Sequence, residues 1–462
     1  MDVNEYTRPL DRRGFLGRTL AAAVGAVAGS AGVAHAMPRR VPLMTGLGLA
    51  SAVVTRRDIG AMAAGDDSLR MLRAAIGVMK ERSARNPLDP TGWVAFHAVH
   101  SVFCAADYGA QVHYSWQFLP WHRAYMVSLE KQLQAAINEP TLALPYWDWT
   151  RNPRIPAAYF GGPQNPLFDA SRLQRPEDEI PADFLDVGPA LRARKPTAFH
   201  GFAKLDAADT DPLVEGTLEN GVHNNVHNWI GGNMAGFPTA SADAIFTAHH
   251  GQLDRMWASW REAGGRDPED PRWREPVFHF HGPDGRPWRV PVGELVDTEA
   301  LGYRFDTLDF RRTLQGTADW PRPGTARPVA TGTLSLPRGS RDEIADALTA
   351  GGRRVILRFD RMQIPVHPLC VRVFLDEPAA DAGTPVPAPT FAGTFTLLPI
   401  GAPSSGDLAR RVTIQTEVSP RIAETVRAGR PVRVSMVPMQ LRGRALPRET
   451  LQLQGVSLAL DD

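Results

Sequence analysis

The spacing of apolar residues changes character partway along the chain. In the first part, Leu69, Leu72, Ile76 and Met79 fall on one face of a predicted helix that Asp67-Ser68 can cap. A second helix is predicted from Trp121 to about Ile137, just after Pro120. A third holds His223 and His227, and a fourth runs from about Ala244 to Trp260. Long loops lie between them, including the proline-rich stretch 152–196. Near residue 325 the period shortens to two, in Val355/Leu357/Phe359, Val371/Val373/Leu375, Val412/Ile414 and Val432/Val434/Met436. Such runs, separated by Gly, Pro and Asp, predict a β-sandwich. The fold expected is therefore a mainly α domain, a four-helix bundle with long loops, followed by an all-β sandwich domain. Residues 37–325 and 326–462 are the two units, with the proline-rich segment from Pro321 to Pro328 as linker. There is no internal repeat.

The first residues are a targeting segment. Arg12-Arg13-Gly14-Phe15-Leu16 is a twin-arginine pattern, an uncharged run extends from Ala21 to Ala34, and Ala34-His35-Ala36 reads as a small-x-small cleavage site. A signal over residues 1–36 predicts export to the periplasm or beyond, by a route that carries folded protein. The run is too short, and too rich in Ala and Gly, for a membrane span. With Lys+Arg 51 against Asp+Glu 50, neither nucleic acid nor an anionic membrane is favoured as partner of the mature chain. At 462 residues the chain can bury a large core. Forty prolines and 41 glycines make loops and turns a large share of it. The only cysteines, Cys104 and Cys370, make no disulfide framework.

Candidate chemistry lies in the histidines. Of 13, most fall in two groups, His97, His100, His113 and His122, then His223, His227, His249 and His250. His223 and His227, four apart on a helix, face the same way and can share a metal. Asp254 lies one turn beyond His250, where it could accept that ring's free N–H. Two sites of three imidazoles without a carboxylate ligand suit copper. A hydrolytic zinc pair recruits Asp or Glu, and non-haem iron oxygenases use two histidines and a carboxylate.

The motifs around these residues resemble those of the type-3 copper family of tyrosinases, catechol oxidases and haemocyanins. They are His100 with Cys104 four residues on, Val112-His113-Tyr114-Ser115-Trp116, and Pro120-Trp121-His122-Arg123. Leu144-Pro145-Tyr146-Trp147-Asp148-Trp149, Glu219-Asn220-Gly221-Val222-His223-Asn224-Asn225-Val226-His227 and the run from Phe246 to Trp257 complete the set. The likeness covers roughly residues 60 to 325, and the C-terminal part resembles, more weakly, the β-domain of plant and molluscan members.

The resemblance implies a dicopper centre with O2 as co-substrate. His100, His113 and His122 would hold one copper, and His223, His227 and His250 the other. His97 competes with His100, which alone keeps the step to Cys104; His249 competes with His250, favoured by its Asp254 partner. The resemblance also implies a thioether from Cys104 to His113, a gate at Phe237, and Glu219 and Asn224 assisting deprotonation of a monophenol. Two departures stand out: Asp243-Ala244 where the family has Asp-Pro, and a shorter step from Cys104 to His113. The implied reaction is oxidation of small phenols and catechols to ortho-quinones, with monophenol ortho-hydroxylation. Alternatives are a haemocyanin-like oxygen carrier, an o-aminophenol or catechol oxidase without monophenolase activity, or a zinc or iron hydrolase. The loop Pro365-Val366-His367-Pro368-Leu369 is a candidate plug from the β-domain into the copper pocket.

Overall fold

A computed structural model describes residues 53–104, 112–202, 214–309, 330–334, 338–350, 354–386, 388–399, 411–418, 420–428, 432–439, 441 and 451–461. The predicted signal and the Pro321–Pro328 linker lie outside the described residues.

Helices Asp67–Arg85, Trp93–Phe103, Phe118–Ile137 and Ile245–Glu262 dominate the first half. Asp66, rather than Asp67-Ser68, caps the first, its carboxylate accepting from Ser68 N–H at 2.9 Å. Phe118–Ile137 is buried on every side from Phe118 to Gln134, so it is a central rod with no polar face. Pro120 sits in its first turn, where a missing N–H breaks no helical hydrogen bond, so the helix starts before Trp121. Trp93–Phe103 was not expected from the apolar pattern, yet it carries His97 and His100. His223 and His227 lie on a π-turn, Glu219–His223, running into a short helix, Asn224–Ile230. Gly221 leaves helical geometry there, at ψ −112°. Ile245–Glu262 packs tightly over the Leu144–Trp149 segment: a Cβ on Gly251 would lie 2.8 Å from Pro145 O. Trp147 N–H donates to Ala248 O (3.0 Å) at the same seam.

The strands run in order β1 (Val54–Arg56), β2 (Gly201–Phe202), β3 (Val214–Glu215), β4 (Val277–His281), β5 (Pro287–Pro291), β6 (Tyr303–Phe305), then β7 (Ala330–Leu334). There follow β8 (Arg354–Gln363), β9 (Leu369–Leu375), β10 (Phe391–Leu397), β11 (Arg411–Glu417), β12 (Val432–Met439) and β13 (Gly455–Asp461). One sheet has the order β10-β9-β12-β7, the other β13-β8-β11-β3-β2. Phe359 of β8 meets Phe395 of β10 at 5.3 Å between ring centroids, joining the two sheets as expected of a sandwich. The four alternating runs are β8, β9, β11 and β12. The helix Arg338–Ala350 interrupts the expected all-β pattern.

The second sheet crosses the predicted domain boundary. β3, from the helical half, pairs in parallel with β11 at Val214 and Thr413. Polar contacts reinforce the join: Arg372 binds both carboxylate oxygens of Asp183 at 3.0 Å, and Thr394 Oγ1–H donates to the same group at 2.7 Å. Asn220 Nδ2–H donates to Gln415 O at 2.8 Å. In the loop expected to plug the pocket, Val366 is 48% exposed and His367 is exposed, while Leu369 is buried at the start of β9. The loop's two prolines end β8 and delay β9, leaving the turn on the surface.

Candidate metal centre

Eight of the histidines converge in the helical core. In the first group, His100 comes from the end of Trp93–Phe103, His122 from the start of Phe118–Ile137, and His113 from the segment between. Ring nitrogens of His100 and His113 and the sulfur of Cys104 lie within 4.8 Å of one another. His122 Nδ1–H donates to Phe118 O at 2.8 Å. Its Nε2 lone pair therefore points away, to His100 Nε2 at 3.3 Å. Cys104 is a buried thiol in no disulfide, its Sγ 3.4 Å from His100 Nε2. His97 turns elsewhere, with Nδ1 3.0 Å from Ser241 Oγ.

In the second group, His227 Nδ1–H donates to Met234 O at 2.7 Å, which leaves Nε2 facing His250 Nε2 at 3.3 Å. His223 Nδ1 lies 2.8 Å from Asn224 Oδ1. The Asn224 amide is held the other way round by its Nδ2, which donates to Glu215 at 2.6 Å and Thr396 O at 2.9 Å. His223 is thus the donor to Asn224, and its Nε2 has no hydrogen-bond partner among the described residues. His122 and His250 stack at 4.3 Å between centroids, bringing the groups together. Phe237 lies flat on His113 at 3.7 Å, and Phe246 touches His250 at 4.0 Å and His100 at 4.8 Å.

The expected partnership of Asp254 with His250 is not formed. Asp254 accepts from Arg123 at 2.5 Å, from Arg56 at 3.0 Å and from Tyr303 at 2.6 Å. These buried donors take both carboxylate oxygens, and His250 Nδ1 has no hydrogen-bond partner among the described residues. Asp254 instead neutralises two buried guanidiniums, with Glu130 binding Arg56 at 3.0 Å. The choice between His249 and His250 then rests on other grounds. Ring nitrogens of His223, His227 and His249 do come within 4.8 Å of one another. Yet Trp149 Nε1–H donates to His249 Nδ1 at 3.3 Å, and indole only donates. A neutral His249 must then carry its proton on Nε2, which leaves that nitrogen no lone pair for a metal. His250 Nε2 meets no indole N–H among the described residues, only the ring nitrogen of His227 at 3.3 Å.

Burial sets the electrostatics. It drives His227 down to about 4 and His122 to about 3, and holds His100, His113, His223 and His250 well below their ordinary range. All six rings are neutral at physiological pH, the state a metal requires. Buried neutral imidazoles with converging lone pairs, and no carboxylate in either cluster among the described residues, fit a pair of coppers. Nearby, burial raises both Glu215 and Glu219 well above the usual carboxylate range, and the charge on Glu219 raises Glu215 further. Glu219 accepts from Tyr114 N–H at 2.7 Å. Glu215 and Trp149 were not anticipated from sequence; their roles depend on residues nine or more positions away.

Comparison with known proteins agrees with this geometry. Residues 90–185 and 194–263 match the common central domain of tyrosinase. This region of the chain is similar to the tyrosinase family of type-3 copper proteins. The chain is 31% identical over 283 residues to polyphenol oxidase E, chloroplastic, of Solanum lycopersicum, covering 53% of this chain and 48% of that protein. It is 31% identical over 312 residues to catechol oxidase B, chloroplastic, of Solanum tuberosum, covering 58% of this chain and 53% of that protein. The chain thus spans about half the length of the curated relatives it matches. A recombinantly expressed latent aurone synthase (polyphenol oxidase) shares the fold, with a TM-score of 0.70 at 23% identity over 88% of this chain and 91% of that one. No helix among the described residues is long and apolar enough to cross a membrane.

Proposed function

We propose that this protein oxidises phenols and catechols to ortho-quinones with O2 at a type-3 dicopper centre, including ortho-hydroxylation of monophenols. Two catechols and one O2 give two quinones and two waters; a monophenol and one O2 give one quinone and one water. The observation that carries this reading is the pair of buried histidine clusters, joined through the stacked rings of His122 and His250. In it, His100, His113 and His122 hold one copper and His223, His227 and His250 the other. When bound, the pair supplies O2 activation and accepts two electrons from the substrate at once.

The chain's own residues supply position and proton traffic. Phe237, flat on His113, offers an apolar face for an incoming ring. This reading gives Glu219 and Asn224 the deprotonation of a monophenol hydroxyl, with Asn224 Nδ2 donating to Glu215 and Thr396 O rather than to Glu219. The raised Glu219 carboxyl becomes an effective base only when positive charge nearby favours its anion. Cys104, whose sulfur lies in the same cluster as His113, is assigned the thioether to that ring. Joining the Cys104 S–H and a ring C–H as C–S releases two protons and two electrons, so the link would need O2 as oxidant at the copper site.

The same reading gives residues 1–36 the twin-arginine signal and the export that follows from it. It divides the remainder into a catalytic unit, 37–325, and a β-domain, 326–462, that shields the site.

The test is oxygen uptake by the copper-loaded protein with catechol, then with a monophenol in the same cell. Uptake abolished by removing copper establishes the oxidase. Reversible O2 binding without uptake would make the protein a carrier and overturn the proposal. Catechol oxidation with no monophenol turnover would restrict it to a diphenol oxidase.

A further inference from the structure

The β-domain does more than cover the helical core: the segment just past its strand β10 grips the residue next to a candidate copper ligand. Tyr114, buried and with a left-handed backbone (φ 58°), follows His113 directly. An L-residue adopts that conformation only where its surroundings hold it there. Tyr114 is held at two points. Its N–H donates to Glu219 at 2.7 Å. Its hydroxyl donates to Leu398 O at 2.6 Å and accepts from Leu398 N–H at 3.0 Å, just past the end of β10. The ring stands edge-on to Phe237, which itself lies on His113. His113 is the one ligand of its group not on a helix, so the direction of its ring depends on the backbone that carries it.

We infer that Tyr114 is a positioning residue for His113, and that through Leu398 the β-domain is a working part of the first copper site. The inference rests on the dicopper reading above. A phenol hydroxyl that both donates to and accepts from one backbone residue fixes distance and direction together. A backbone in a disfavoured conformation would otherwise relax and swing His113 away. The second group has its own tie to β10, through Asn224 and Thr396 O, but its rings ride on helical backbone and need that tie less.

The test compares wild type, Tyr114→Phe and Thr394→Val. The first variant keeps the ring and removes both bonds to Leu398. The second, isosteric, removes a contact between the β-domain and Asp183 that lies away from His113. Each protein is loaded with copper and dialysed against a chelator, then its copper per chain is measured beside the melting of the metal-free form. Tyr114→Phe should keep about half the copper of wild type, since an outer contact that orients a ligand is worth roughly 10–100-fold in metal affinity. Its metal-free melting should stay cooperative and Thr394→Val should retain full copper. Full copper in Tyr114→Phe, an equal loss in Thr394→Val, or loss of cooperative melting in metal-free Tyr114→Phe would each overturn the inference. A wild type that holds no copper would overturn the dicopper reading itself, and this inference with it.

Discussion

The two histidine groups are alike in burial and in donor set, yet they are built differently. In the second, His223 and His227 sit on consecutive turns of one segment and His250 on the Ile245–Glu262 helix. Two of its rings are oriented locally, by Met234 O and by Asn224 next in sequence. In the first, His113 lies between helices, with Phe237 flat on its ring and the next residue, Tyr114, bonded to Leu398. The two groups differ in one ring: His100 and His122 ride on helices as the second group's rings do, whereas His113 sits on a turn next to a residue bonded to the β-domain. A ring carried on a helix tolerates loosening of distant parts; a ring carried on such a turn does not.

The strongest way to break this comparison is to delete one ring from each group. His122→Ala and His227→Ala should each lose the copper of their own group and keep the other. Each should lower catechol turnover on the order of a thousandfold, since a metal contributes several kcal/mol to charge stabilisation. Metal content and oxygen uptake check both, and retention of two coppers in either variant would separate that ring from the metal.

Next in size is the choice between neighbours. His250→Ala should lose copper from the second group, whereas His249→Ala should keep it, because Trp149 already occupies His249 Nδ1. The reverse pattern in metal analysis would transfer the ligand role to His249.

A pH series sharpens the contrast between buried rings and solvent. His97 and His227 lie at about 4 and His122 at about 3, below the ordinary histidine range, because burial disfavours the cation. Their contribution is whole above the unfolded-state value, and is lost as pH falls from there through the folded-state values, because the unfolded chain takes up protons first. Each ring then removes up to about 1.4 kcal/mol per pH unit. Urea midpoints of the metal-free protein at pH 7, 6 and 5 should therefore fall in order. A flat series would mean the rings are not buried as neutral groups.

The smallest effect is expected where the plug was first sought. Val366→Ser and His367→Ala lie on an exposed turn and should change stability by less than about 0.5 kcal/mol and leave substrate KM unaltered. A lowered KM would bring that loop back to the pocket mouth.

Much of the candidate site was legible because its residues are tied to short motifs. The four-residue step from His223 to His227 fixes a shared face, and the Pro-Trp-His run opens a helix with its histidine in the first turns. The helix Trp93–Phe103 was missed because it is buried over most of its surface, so its apolar residues show no stripe. β9, read as a strand from the alternation of Val371, Val373 and Leu375, is buried at all seven positions between β10 and β12, so the alternation does not mark an exposed face. Asp254 was misassigned for a related reason. One helical turn places a carboxylate near a histidine, but Arg56 and Arg123, far away in sequence, carry full charges and take both its oxygens.

The sequence by itself showed two groups of histidines, one with a helical step from His223 to His227, and the division into helical and β-rich halves. Those features depend on residue type and on neighbours within a turn or two, where backbone geometry alone brings groups together. The tertiary structure decided which nitrogen of His122, His223 and His227 faces the cluster, which charges Asp254 serves, and that β3 and β11 share a sheet across the two halves. It also decided that Leu398 reaches Tyr114. Hydrogen-bond donors and acceptors at those points come from chain segments up to 284 residues apart, and only packing brings them into register.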